Sequence, residues 1–358
     1  MEFFYRSKGS IRDNMDASYW YNIFSIVNMS VVSTPISSLD RVASQVPIFE
    51  KIDIGGVITA MLINFDDLYT YVKTLGHGAS GVVKCYREKS TANLFAMKEM
   101  TIFHSTELET LRSEVEILRE ISSNIQSSSI VKYHDSFVRK CVSGPLFVIV
   151  TEHIEGASLQ DHLNGMINSD RHIKMETILR IAYWLFSTLA VLHNRGYVHR
   201  DIKPNNIMVD DVNNRFVLID FGLTCSINAK TTRDNHILCT KGEFDGTIIF
   251  MAPESWTPIQ ETRKRFSPRN GNKLEGLKLL DIWAAGITIY FLIENRPPWT
   301  EKFSIGIIKQ ITGAYEIPYV RSNEIEDILE LSLQKNPGER INAEYIRDYI
   351  GHVVSSRY

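Results

Sequence analysis

Between His199 and Asn206 the chain places a carboxylate (Asp201), an ammonium (Lys203) and a carboxamide (Asn206) on one loop. In-line transfer of a phosphoryl group needs three things of that kind: a group to orient a hydroxyl, a cation beside the moving phosphate, and an oxygen for a metal. Three further motifs stand in order around this loop. Gly76-His77-Gly78-Ala79-Ser80-Gly81-Val82-Val83 lies upstream, while Asp220-Phe221-Gly222 and then Ala252-Pro253-Glu254 lie downstream. Four motifs in this order are hard to obtain by chance, and together they constrain the fold more than any one of them alone.

The pattern around the motifs assigns them to elements. Tyr69–Leu75 alternates with strand period and runs into the glycine loop, and Val82–Tyr86 reads as the strand that leaves it. A dinucleotide site would instead need a strand followed by a helix. Leu94–Met100 reads as a third strand, and Ile130–Phe137 and Leu146–His153 as apolar, β-rich runs. Between them Thr106–Ile121 has helical spacing, with Leu111, Val115 and Leu118 recurring along one face. Five strands and one helix therefore make a small lobe. After Gly156 the chain turns helical. Met175–Asn194 predicts a long amphipathic helix with Gly196 as its C-terminal cap, and Leu279–Ile293 a helix apolar enough to be buried on every side. Helical patterns continue to about Ile350. Residues 1–64 carry aromatics and a Ser/Thr/Pro-rich patch but no readable motif, and are expected to form a partly ordered extension.

Bulk properties exclude several classes. The 358 residues, 44% of them hydrophobic, suit one large two-lobed domain or two small ones. A net charge of −3 gives no global reason to expect nucleic acid or an anionic membrane as partner. Cys85, Cys141, Cys225 and Cys239 have neither C-x-x-C nor zinc spacing, which predicts free thiols in a reducing compartment. The N-terminus lacks a secretory pattern, and the longest apolar stretch, Val57–Ile63, is far too short to span a bilayer. The expectation is an intracellular protein, cytoplasmic by default with the nucleus left open, and monomeric by default.

On these residues the chain resembles a eukaryotic-type protein kinase of the serine/threonine kind. The resemblance implies an α+β, bilobal kinase fold over about residues 65–352, with a small lobe to about 153, a larger helical lobe after it, and a short tail at 353–358. It implies transfer of the γ-phosphoryl of ATP to protein Ser or Thr hydroxyls with Mg²⁺. Asp201 would orient the hydroxyl and accept its proton, Lys203 would neutralise the γ-phosphate, and Asn206 and Asp220 would hold Mg²⁺. The glycine loop (Gly76, His77, Gly78, Ala79, Ser80, Gly81 and Val82) would approach the phosphates, with Leu75 and Val83 covering the adenine and Ala96 and Met208 also in the nucleotide site. Ser80 stands where this family usually carries an aromatic. Phe95-Ala96-Met97-Lys98 resembles the strand whose lysine meets the α and β phosphates and pairs with a helix glutamate. Glu114 is the best partner for Lys98, because it shares a face with Leu111 and Leu118, whereas Glu116 points about 200° away. Thr151 would be the gatekeeper, and the backbones of Glu152 and Ile154 would bind the adenine edge.

The same resemblance reaches residues outside the reaction. Asp281 would anchor the catalytic-loop backbone, Glu254 and Arg340 would form a buried ion pair, and Leu118, Tyr133, His199 and Phe221 would stack into a spine. Thr247 falls at the substrate-facing threonine. Glu243 occupies the position where many relatives are phosphorylated, which raises constitutive activity as an expectation, with Thr231, Thr232 or Thr240 as alternative phosphate sites. An insertion carrying Arg263, Lys264, Arg265, Arg269 and Lys273 reads as a solvated loop, with a preference for acidic substrates as the alternative. A binding scaffold would predict loss of Lys98, Asp201, Asn206 or Asp220, and all are present. A small-molecule phosphotransferase would predict no Ala252-Pro253-Glu254 segment, and that is present too.

Overall fold

The computed structural model describes residues 49–52, 58–61, 65–78, 81–102, 105–125, 127–141, 144–167, 172–227, 246–256, 275–318, 320 and 323–356. These fall into two compact units: residues up to Leu108 together with Asp135–Val150, and Glu109–His134 together with Thr151 onward. The fold is α+β, as expected from the sequence.

The first unit is built on an antiparallel sheet. Its strands are β1 (Phe49–Ile52), β2 (Ile58–Met61), β3 (Tyr69–Gly78), β4 (Gly81–Glu88), β5 (Leu94–Thr101), β6 (Tyr133–Cys141) and β7 (Gly144–Glu152), in the order β2-β1-β6-β7-β5-β4-β3. The last five are the predicted strands. β1 and β2 come from the segment expected to be a partly ordered extension, in which no individual strand was predicted. β1 pairs antiparallel with β6 (Glu50 opposite Val138), and β2 pairs with β1. Backbone groups on the outer edge of β6 thus find partners in the extension. Under one face lies an apolar cluster of Tyr69, Tyr86, Phe95, Met97, Phe137, Val148 and Val150 around Phe65, from the short helix α1 (Phe65–Leu68). The Phe65 ring meets Tyr86 edge-on at 5.2 Å, and the Arg139 guanidinium lies 4.0 Å over it. Alternation along β5 sends Phe95, Met97 and Glu99 inward. Glu99 is satisfied there by the Lys84 ammonium at 2.6 Å and the Tyr86 hydroxyl at 2.7 Å.

In the second unit, helix α2 (Ser105–Asn124) is joined by α3 (Leu159–Ile167), α4 (Met175–Asn194), α5 (Lys278–Glu294), α6 (Ser304–Thr312), α7 (Asn323–Ser332) and α8 (Ala343–Ser355). The sequence reading placed residues 109–134 in the small lobe. Their packing groups them here: Tyr197 donates to Glu120 at 2.6 Å, and the Val131 N–H donates to the Leu218 carbonyl at 3.0 Å. Helix α4 has the predicted bounds. Gly196 follows it with φ +82°, a left-handed conformation that favours glycine, and its N–H caps the His193 carbonyl. Among the described residues, α4 alone is long and apolar enough to cross a membrane, but it packs on α5 and α8 with its apolar face buried. Helix α5 is buried from Asp281 to Tyr290, as its composition predicts. Three short strands, β8 (Gly156–Ser158), β10 (Ile207–Asp210) and β11 (Arg215–Leu218), form a second sheet, and β9 (Tyr197–Val198) pairs with β12 (Cys225–Ser226).

The expectation of four free thiols is corrected at one position. Cys85 and Cys141 are free, but Cys225 is disulfide-bonded. The spacing test looks only for C-x-x-C and zinc patterns, so it says nothing of a bridge outside them.

Candidate active site

In the first unit, β3 and β4 form the hairpin that carries the glycine loop. Gly78 stands opposite Gly81, Gly76 opposite Val83, and Val83 in turn opposite Lys98 on β5. The register therefore lines up the loop, the apolar Val83 and the lysine across three neighbouring strands. Gly81 has φ +151°, and a Cβ there would lie 2.3 Å from the Glu99 carbonyl, so only glycine lets the hairpin lie this close to β5. At Gly76 a Cβ would meet nothing within 4 Å, which leaves open space above the strand. Leu75 is exposed, and Val83, Ala96 and Lys98 are half-buried on the face away from the Phe65 cluster. Ala79 and Ser80 lie outside the described residues, as do Glu243, Thr231, Thr232, Thr240 and the basic insertion.

In the second unit the loop after β9 gathers the reactive groups. Lys203 Nζ donates to Asp201 Oδ2 at 2.6 Å and to the Thr247 hydroxyl at 2.8 Å, and that hydroxyl lies 3.5 Å from Asp201 Oδ1. Asn206, buried in a single 3₁₀ turn, donates its amide to the Asp201 carbonyl at 2.8 Å and to Oδ2 at 2.9 Å. Both bonds use its nitrogen, so neither engages the amide oxygen. Asp220 and Gly222 form a tight turn, and a Cβ on Gly222 would lie 3.3 Å from both Asp220 Oδ1 and Glu114 Oε2. The Glu114 carboxylate on α2 thus reaches the Asp220 turn. Lys98, its expected partner, belongs to the first unit. Met208 is half-buried on β10 opposite Val217, and Thr151, Glu152 and Ile154 follow one another at the end of β7.

Buried bonds set the shape of this loop. Asp281 on α5 is fully buried and accepts the His199 N–H at 2.8 Å and the Arg200 N–H at 2.7 Å, with His193 Nε2 2.9 Å away. Burial alone would raise its pKa, but the His193 bond and charge, with the His199 N–H, more than offset this and hold the carboxyl below its usual range. His199 is fully buried in contact with Phe221, their rings 5.0 Å apart. Burial pushes the pKa of this imidazole down, against the pull of Asp281, Asp201 and Asp220. Farther out, Arg340 grips Glu254 with both guanidinium nitrogens at 2.5 and 2.7 Å, while the Leu279 and Gln334 carbonyls accept its other protons. One group was not foreseen. Arg215 bonds Glu152, Asp210 and the Ser128 carbonyl together, and no sequence motif marks it.

The protein kinase domain family matches residues 69–350 of this chain, which therefore belongs to that family. Similar proteins include the serine/threonine-protein kinase STE20 of Candida glabrata, 27% identical over 76% of this chain and 26% of that protein. The serine/threonine-protein kinase Nek10 of Mus musculus is 27% identical over 80% of this chain and 24% of its own length. The probable serine/threonine-protein kinase nek2 of Dictyostelium discoideum is 28% identical over 79% of this chain and 62% of its own. The chain thus spans about a quarter of the first two relatives and under two thirds of the third.

Proposed function

We propose that this chain transfers the γ-phosphoryl of ATP to Ser or Thr hydroxyls of protein substrates. The observation that carries the reading is the Asp201–Lys203–Asn206 loop, which Asp281 pins from beneath and whose Lys203 reaches the Thr247 hydroxyl. Asp201 accepts a hydrogen bond from the substrate hydroxyl and takes its proton as that oxygen bonds to the γ-phosphorus and the bond from the γ-phosphorus to the β–γ bridging oxygen breaks, releasing ADP. The Lys203 ammonium, already beside Asp201, sets a positive charge against the negative charge on the transferring group. Thr247 bridges Lys203 and Asp201, where it can help seat the incoming hydroxyl. In the first unit, the glycine hairpin and Lys98 offer backbone N–H groups and a cation to the phosphates. In that unit Leu75, Val83 and Ala96, and in the second unit Met208, Thr151 and the backbones of Glu152 and Ile154, are each a proposed nucleotide contact.

The donor set suits Mg²⁺. Asn206 and Asp220 offer hard oxygens, the donor type that Mg²⁺ takes from a protein that also binds phosphates. When bound it supplies charge neutralisation to the phosphates. Asn206 and Asp220 would hold it. The relatives' names support the serine/threonine class.

The test is transfer from labelled ATP with Mg²⁺ to a generic Ser/Thr protein and to the chain itself, wild type against Asp201→Asn. Transfer by the wild type that falls at least about a hundredfold in the variant is expected, with label on phosphoserine or phosphothreonine. No transfer by wild type, or equal transfer by both, overturns the reading.

A further inference from the structure

Arg215 opens β11, and its guanidinium serves three chain segments at once. Nε donates to Asp210 Oδ2 at 2.8 Å, Nη1 to the Ser128 carbonyl at 2.9 Å, and Nη2 to Glu152 Oε2 at 2.8 Å. Glu152 is gripped on its other side as well. Its Oε1 accepts the Lys132 N–H at 2.9 Å, and its own N–H donates to the Lys132 carbonyl at 3.0 Å. Asp210 is buried and fixed by Asn213, whose backbone N–H and side-chain amide donate to its two oxygens at 3.0 and 2.9 Å. One planar fork thereby joins the β10–β11 hairpin, the loop between α2 and β6, and the end of β7.

An ion pair of this exposure contributes little energy by itself: the Arg215 and Glu152 side chains are 20% and 22% exposed. What the fork supplies is geometry. A guanidinium meets acceptors at fixed angles in one plane, which a lysine, a point charge on a flexible stem, cannot reproduce. Arg215 bonds to none of the groups proposed to react. The residue it holds most directly is Glu152, whose backbone, with that of Ile154, is the proposed contact for the adenine edge.

We infer that Arg215 is a positioning residue for the nucleotide base: through the Glu152 carboxylate it holds the Glu152–Ile154 backbone in place and so sets the affinity for adenine. This inference rests on the reading under Proposed function. The same fork ties the loop after α2, the helix that carries Glu114, to the hairpin that leads into Asp220. The base-contacting stretch is therefore referenced to the catalytic side of its own unit.

The test uses the full chain as wild type, Arg215→Leu, Arg215→Lys, Glu152→Gln and the Arg215→Leu/Glu152→Gln double variant. MgATP is varied at saturating generic peptide, MgADP binding is titrated directly, and thermal melting is followed in parallel. Arg215→Leu is expected to raise KM for ATP about fivefold and weaken MgADP binding by a similar factor, with kcat and the peptide KM within about twofold. Arg215→Lys is expected to leave most of that rise in place. The double variant is expected to be no worse than Arg215→Leu, because the two residues act as one unit. An ATP KM within about twofold of wild type in Arg215→Leu overturns the inference. So does a loss in which kcat, both KM values and the melting temperature move together. If Arg215→Leu fails to fold, Glu152→Gln decides alone, since it removes the charge and keeps the volume. A wild type that neither binds nucleotide nor transfers phosphate overturns the proposed function instead, so the two failures are distinguishable.

Discussion

Asp281→Asn is the most discriminating single change in this fold. The Asp281 carboxylate uses one oxygen for the Arg200 N–H at 2.7 Å, and the other for the His199 N–H at 2.8 Å and His193 at 2.9 Å. An asparagine keeps the volume but has one accepting oxygen, so one backbone N–H must face an NH₂ group. Losing one bond to a charged acceptor costs about 1.5–3 kcal/mol, with a donor left unsatisfied where no water reaches. Arg200 makes the cost local. Its φ is +69°, a conformation that costs about 1–3 kcal/mol and persists only when its surroundings enforce it. Releasing the Arg200 N–H lets the backbone relax immediately before Asp201. A displacement of Asp201 approaching 1 Å would lower kcat about a hundredfold. Steady-state kinetics with varied ATP should show kcat down roughly 10–100-fold while the KM for ATP changes less than about threefold, since Lys98 and the glycine hairpin are untouched. The melting temperature should fall by roughly 5 °C, from about 2 kcal/mol at 2–4 °C per kcal/mol. A folded variant with kcat within about twofold of wild type would refute the claim that Asp281 positions the loop.

Other consequences follow from neighbouring features. Glu254→Ala strands the buried Arg340 charge and should destabilise the fold by about 3–5 kcal/mol, read as a lower urea midpoint with unchanged slope. Gly81→Ala forces a Cβ against the Glu99 carbonyl at φ +151° and should raise the KM for ATP several-fold, while the peptide KM holds. His199 is buried with a lowered pKa, so the unfolded chain takes up a proton on it before the folded one does. Its contribution to stability is therefore fully present above the unfolded pKa of about 6.5 and is lost as pH falls through that value towards the folded one. The slope is at most about 1.4 kcal/mol per pH unit. In urea titrations from pH 8 to pH 5, His199→Phe should show a shallower decline than wild type, and an identical decline would show that other groups carry it.

The parts of the fold legible in sequence were those with a local period or a fixed motif. Helix α4 could be bounded because twenty residues of one period end at a glycine, and α5 because an apolar run of that length has only buried solutions. The Glu254–Arg340 pair, 86 residues apart, was legible only because each partner belongs to its own motif. β1 and β2 were not legible. A four-residue strand shows two side chains to each face, too few for alternation to register, and what makes these strands is pairing with β6, far along the chain. The Arg215 fork was missed for a related reason. Asp210, Asn213 and Arg215 look like an ordinary polar hairpin, and only tertiary structure brings Glu152 and Ser128 to it.

The backbone marks the same site without reference to any motif. Five described non-glycine residues have positive φ: Ala92, Arg200, Asn214, Asp220 and Asn295. Three of them, Asn214, Asp220 and Asn295, are of types that tolerate that conformation, and Ala92 sits in the turn between β4 and β5. Arg200 remains. It precedes Asp201, and its N–H is bonded to the buried Asp281. The strain at Arg200 is therefore imposed by the core. Local propensity and global fold disagree at this residue, and such conflict is expected where a chain gives up stability to hold a reactive group in place. Arg200→Gly, which removes the strain and leaves the Asp281 bond possible, should then hold or raise stability while lowering kcat. If both stability and kcat held, the strain at this position would have no part in the reaction.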